Sequence, residues 1–80
     1  MYTVYVLYSL ILKKRYIGST SDLTKRIKEH NSGKSKFTKG GIPWELVYKE
    51  DLKTNSEAKK RELYFKTGVG RKSLDELLKE

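Results

Sequence analysis

The sequence predicts a small domain of the α/β (α+β) class: a three-stranded antiparallel sheet flanked by helices, in the order β-β-α-β-α-α. Three observations lead there. Residues 2–9 alternate Tyr2, Val4, Val6 and Tyr8 with Thr3, Tyr5, Leu7 and Ser9, the period of a strand built from β-branched and aromatic residues. Two stretches carry helix start signals, at Ser21-Asp22 and at Thr54-Asn55-Ser56-Glu57. Between them, Trp44 to Glu50 reads as a further strand after Pro43.

The elements follow in order. Leu10-Ile11-Leu12-Lys13-Lys14 has to turn after the first strand, although it holds no Gly, Asn or Pro. Arg15 to Gly18 returns as the second strand of a hairpin. Tyr5 and Tyr16 share a face only if paired positions sum to an odd number, which an even-length loop provides. Ser21 or Asp22 caps a helix over about 22–31, with Leu23 and Ile27 as its buried stripe and Gly33 as its stop. The loop over 34–41 carries three lysines, Phe37 and a Gly-Gly pair. In the third strand, Trp44, Leu46 and Tyr48 are expected on one face. Thr54 caps a second helix, over 56 to about 67, with Glu57 reaching back to the cap. Gly68-Val69-Gly70 reads as a linker, and a short last helix is expected to start at the Ser73-to-Glu76 capping spacing, using Leu74, Leu77 and Leu78.

Composition bounds the function. Eighty residues suffice for one domain, taken as 1–80, which buries only ~60–65% of the surface its unfolded chain exposes. No cysteine is present, which excludes disulfides and thiolate metal sites. The apolar run from Tyr2 to Leu12 is too short to span a bilayer and lacks the flanks of a signal peptide, so a cytoplasmic protein without membrane contact is expected. Eighteen basic against ten acidic residues give a net charge of +8. The basic residues cluster at 13–15, 25–28, 34–39, 59–61 and 71–72, and a field of that sign favours a polyanion such as nucleic acid.

Several residues are candidates for chemistry. Arg26 is either a solvated helix residue or a fork for a phosphate. His30, the single histidine, lies one turn further on, either packed against the stripe or catalytic. Tyr5 and Tyr16 belong to the sheet or to the site. Glu62 sits where the helical period asks for an apolar residue, beside Ala58 and Phe65. It either pairs with Lys59 or Lys66, or binds Mg²⁺ or Mn²⁺, which one or two carboxylates plus substrate phosphate can hold. Lys25, Lys34, Lys36, Phe37, Thr38 and Lys39 are candidates for nucleic-acid contact, Phe37 as a stacking platform.

Taken in order, Thr3-Val4-Tyr5, Tyr16-Ile17-Gly18, Arg26, His30 and Glu62 resemble the GIY-YIG nuclease superfamily. The likeness covers almost the whole chain and is nearest to the small stand-alone bacterial members, through Tyr16-Ile17-Gly18, Asn31 and Gly33, Thr38, and the helix holding Glu57-Ala58 and Arg61-Glu62. It implies that Tyr5 and Tyr16 border the scissile phosphate, one of them at or near the general base. It implies that Arg26 stabilises the phosphate charge and that His30 assists Tyr5 or is itself the base. Glu62 would bind one divalent cation, Mg²⁺ or Mn²⁺. The departures are Thr3 in place of glycine, Ser19 where many relatives carry a basic residue, and no asparagine after Asn55.

The expected function is therefore a metal-dependent endonuclease hydrolysing DNA phosphodiesters, directed by structure more than by sequence, in DNA repair or processing. DNA is the expected partner, RNA the alternative, and the chain is expected to be monomeric. The competing readings are a non-catalytic nucleic-acid-binding module and an interaction domain of a repair complex.

Overall fold

The computed structural model describes residues 1–79. Its elements are β1 (Tyr2–Ser9), β2 (Lys14–Thr20), α1 (Leu23–Asn31), β3 (Trp44–Leu52), α2 (Asn55–Phe65) and α3 (Gly68–Leu77), with a 3₁₀ turn at Lys39–Gly41 before β3. The sheet has the order β2-β1-β3, and β1 pairs antiparallel with both neighbours. The α+β architecture and element order match the sequence expectation.

The hairpin resolves the register question. Ser9 pairs with Lys14 and Leu7 with Tyr16, so the loop is even in length and Tyr5 and Tyr16 share a face. Its turn is closed without glycine. The Ser9 hydroxyl accepts from the Leu12 N–H at 3.0 Å, the Lys13 N–H donates to the Ser9 carbonyl at 2.7 Å, and Lys13 takes a left-handed φ of 54°.

The alternation of β1 divides the core. Val4 and Val6 pack on one face with Ala58, Phe65 and Leu74 of α2 and α3. Tyr5 and Leu7 pack on the other with Trp44, Leu23 and Ile27. A helical layer thus covers each face, α1 on one side and the α2–α3 pair on the other. The expectation that Trp44, Leu46 and Tyr48 share a face does not hold. A bulge shifts the register so that Leu7 pairs with Leu46 and Val6 with Tyr48, leaving Val47 as the extra residue. Trp44 therefore joins the α1 side and Tyr48 the other.

The last helix is also longer than expected. Gly68-Val69-Gly70 is its first turn, not a linker, because the Thr67 hydroxyl caps it by accepting from the Gly70 N–H at 3.0 Å. Gly70 is needed there for close approach: a Cβ would lie 1.8 Å from the Tyr64 carbonyl oxygen. Elsewhere the helix signals place the starts correctly. Asp22, the second of the two candidates, caps α1 by accepting from the Lys25 N–H at 3.2 Å, and Thr54 caps α2 by accepting from the Glu57 N–H at 3.1 Å. Gly33, at φ 81°, follows the end of α1 as expected.

Candidate active site

β1 and β2 present Tyr5 and Tyr16 toward α1, and α1 brings His30 down onto them. The ring centroids of Tyr16 and His30 are 4.8 Å apart, and those of Tyr5 and Tyr16 are 6.4 Å apart. His30 is fully buried, and both ring nitrogens are engaged. Nε2 lies 3.0 Å from the Tyr5 oxygen, and Nδ1 lies 2.9 Å from the Thr38 hydroxyl. The histidine is thus a buried connector, one shell behind the phenol.

Thr38 is corrected by this geometry. A threonine in a lysine-rich loop is expected to face solvent and nucleic acid, yet it is fully buried. Its hydroxyl serves His30 and its carbonyl accepts from the Trp44 indole N–H at 2.7 Å. A buried imidazole needs partners on both nitrogens, and Thr38 supplies the second. Asn31 holds the same corner by bonding the backbone of Trp44 twice, at 2.6 and 3.1 Å. Lys34, Lys36, Phe37 and Lys39 do remain exposed on the loop after α1, Phe37 at 89%. Lys25 is exposed near the other end of α1.

The phenol of Tyr5 reaches across the edge strand at Gly18, its register partner. A Cβ at Gly18 would lie 2.6 Å from the Tyr5 oxygen and 3.3 Å from the Tyr16 ring. Glycine is required here by the space the phenol occupies. Gly18→Ala is expected to keep the fold, since an edge strand accepts alanine, but to push the phenol off His30. Nicking activity should drop by at least about tenfold with DNA affinity within about twofold, because a displacement of roughly 1 Å in a reacting group carries that scale of cost or more.

Glu62 approaches the same edge from the other face. The hydroxyl of Ser19, the residue after Gly18, donates to its carboxylate at 2.7 Å, and Lys66 donates at 2.9 Å. The Glu62 side chain is only 15% exposed, against 59% and 48% for Lys59 and Lys66. Burial disfavours its charge, but the bonds from Lys66 and Ser19 outweigh that and hold the carboxyl below the ordinary glutamate range. Serine in place of a basic residue after Gly18 therefore has a role that the sequence reading missed. It fixes Glu62 at the β2 edge.

Arg26 projects from α1 beside the phenol, with a long 3.4 Å contact to Glu29. Next to it opens a cleft of about 440 Å³, lined by Ser19, Asp22, Lys25, Arg26 and Asn55 among others. Burial pushes the Tyr5 phenol above its ordinary pKa, while Arg26 pulls the other way without overcoming it, and the Tyr16 and Glu62 charges add to the rise. Tyr5 is thus a neutral phenol near neutral pH. Burial, and then the Arg26 charge, push His30 below the ordinary histidine range. It is neutral too, with Nε2 within hydrogen-bond reach of the Tyr5 oxygen.

A folded-state pKa below the unfolded one gives stability that is present above the unfolded value, ~6.5 for histidine, and lost as pH falls through the folded value. Melting temperature followed through the single Trp44 is therefore expected to hold steady above pH ~6.5 and to decline below it. His30→Gln should remove part of that decline. An equal decline in the variant would mean that His30 does not carry the effect.

The family model described as the GIY-YIG catalytic domain matches residues 1–74. The UPF0213 protein YazA of Bacillus subtilis is 50% identical over 52 residues, which is 64% of this chain and 52% of that protein. The UPF0213 protein SSP2268 of Staphylococcus saprophyticus is 47% identical over 60 residues, 74% of this chain and 73% of its own. The solution NMR structure of the UPF0213 protein BH0048 from Bacillus halodurans superposes with a TM-score of 0.58 at 33% identity, covering 96% of this chain and 85% of the other. The match spans about half the length of the B. subtilis relative. Within the described residues, no helix is long and apolar enough to cross a membrane. On the family model and these relatives, the chain belongs to the GIY-YIG catalytic domain family, a family of nucleases.

Proposed function

We propose that this chain is a divalent-metal-dependent endonuclease that hydrolyses DNA phosphodiesters in cytoplasmic DNA repair or processing. The observation that carries the reading is the buried Thr38–His30–Tyr5 chain of hydrogen bonds, ending in a phenol beside Arg26 at the β2 edge. A buried neutral histidine behind a neutral phenol is a route for one proton.

The step balances as follows. A water beside Tyr5 attacks phosphorus, its proton passes to the phenol oxygen, and the phenol proton passes to His30 Nε2. For this the other nitrogen, Nδ1, carries the hydrogen donated to Thr38. As the new P–O bond forms, the bond to the leaving oxygen breaks, and that oxygen takes a proton from solvent. Arg26 faces the extra negative charge that develops on the phosphoryl oxygens. Tyr16 packs against the His30 ring on the same face.

The residues fit one hard cation. No group of three or more potential ligands exists among the described residues, so an all-protein cage is not offered. Glu62 offers one ionised carboxylate at the β2 edge, held by the Ser19 hydroxyl next to Gly18, and Mg²⁺ is commonly held by one or two carboxylates with water and substrate phosphate. Lys59 and Lys66 are half-exposed partners on long side chains and can yield to an ion. When bound, the ion supplies neutralisation of charge on the leaving oxygen.

Incubation of supercoiled plasmid with the protein and Mg²⁺ or Mn²⁺ tests the reading. Relaxed circles are expected, and chelation of the metal is expected to abolish them. Tight binding with no nicking under any metal would leave a binding module.

A further inference from the structure

We propose that the tip of the β1–β2 hairpin is an apolar wedge that engages the exposed base stack of branched or unpaired DNA. This rests on the nuclease reading and names the substrate class it would prefer. The observation is a mismatch between the turn and its residues. Leu10 and Ile11 are each 65% exposed and Leu12 is 42% exposed, three consecutive aliphatic side chains where turn chemistry calls for Gly, Asn or Asp. The turn does not need them, since its closure comes from Ser9 and from the left-handed backbone of Lys13.

The tip is also rigid. Ser9 is fully buried beneath it, and Leu12 lies back on the loop before β3, close enough that a Cβ at Gly41 would meet it at 3.0 Å. Exposed aliphatic groups on a stiff support match the side chains that proteins insert between base steps, where unstacking is least costly at a break in the duplex. Charge selects the partner. Lys13 and Lys14 follow directly, both exposed, and neither has an acidic partner among the described residues. An apolar point with a cationic collar suits a polyanion that also offers flat apolar faces.

The length of β2 separates the tip from the proposed site at Gly18. Lys14, where β2 begins, is four residues from Gly18, about 13 Å at ~3.3 Å per strand residue, and the tip lies beyond it. A nucleic-acid strand advances ~3.4 Å per nucleotide, so a strand laid along β2 would be cut at least about four nucleotides from the branch held at the tip.

The test uses the full chain without metal, so that catalysis does not enter. A forked duplex carrying 2-aminopurine beside the branch is compared with a continuous duplex of the same sequence. The intact protein should bind the fork at least about fivefold more tightly, the scale of one stacking contact, and raise the 2-aminopurine fluorescence. Leu10→Ser with Ile11→Ser should lose both while holding the continuous duplex within about twofold. Ile11→Trp should keep the fork advantage in binding. A fork advantage that survives the double substitution, or is absent from the intact protein, overturns the wedge. So does loss of binding to phosphatidylglycerol vesicles in the double variant with the fork advantage retained, which would assign the tip to lipid. Failure to nick with Mg²⁺ would sink the nuclease reading alone, and the metal-free fork result would stand apart from it.

Discussion

Tyr5→Phe is expected to reduce plasmid nicking by roughly 10²–10⁴-fold, the range assigned to one positioned proton-transfer group. The ring stays, so the packing of Tyr5 with Leu7 and Trp44 is retained. Only the oxygen that meets His30 Nε2 is lost. Its removal leaves His30 Nε2 buried without a partner, at a cost of about 1–3 kcal/mol, which should appear as a lower melting temperature. DNA affinity without metal should change little, because no cation is removed. Activity within tenfold of the intact protein would place the proton acceptor elsewhere. The variant thus separates a phenol that relays a proton from one that merely fills the sheet face.

Much of this arrangement was legible before any coordinates, for identifiable reasons. The period-two pattern of β1 and the caps at Asp22 and Thr54 are local signals, and each led to the right element. What was hidden depends on contacts distant in sequence. The bulge at Val47 leaves Trp44, Leu46 and Tyr48 looking like an ordinary alternation, because a bulge is set by the partner strand and not by the residues inside it. Gly68 and Gly70 resemble a linker until Tyr64 is seen pressed against Gly70. Thr38 resembles a solvent-facing residue because its charged neighbours do face solvent, and its burial comes from contacts distant in sequence, with His30 Nδ1 and the Trp44 indole. Tyr5 and Tyr16 share the α1 side, as an even-length hairpin loop requires, with His30 and Arg26 beside them, whereas Glu62 arrives from the opposite face by way of Ser19. The candidate site, taken with Glu62, therefore straddles the edge of β2 at Gly18, where a Cβ would meet the Tyr5 phenol.

That straddling makes Glu62 the sharper test of metal use. Glu62→Gln keeps the shape and can still accept the Ser19 hydroxyl through its amide oxygen, so the β2 edge should remain in place. It removes the anion, and among the described residues no group of three or more potential ligands stands ready to replace it. Nicking is expected to decrease by roughly 10²–10³-fold, the scale of losing one preorganised source of charge stabilisation, with partial recovery at high Mn²⁺. Lys59 and Lys66 lose their partner in the same variant, which adds local positive charge and should, if anything, tighten metal-free DNA binding. Stability should shift by under about 1 kcal/mol, since both lysines are half-exposed and such pairs contribute little. These opposing signs give the experiment its force. An ion pair that only staples α2 would lose a little stability and no activity, whereas a metal carboxylate loses activity while DNA is held as well as before.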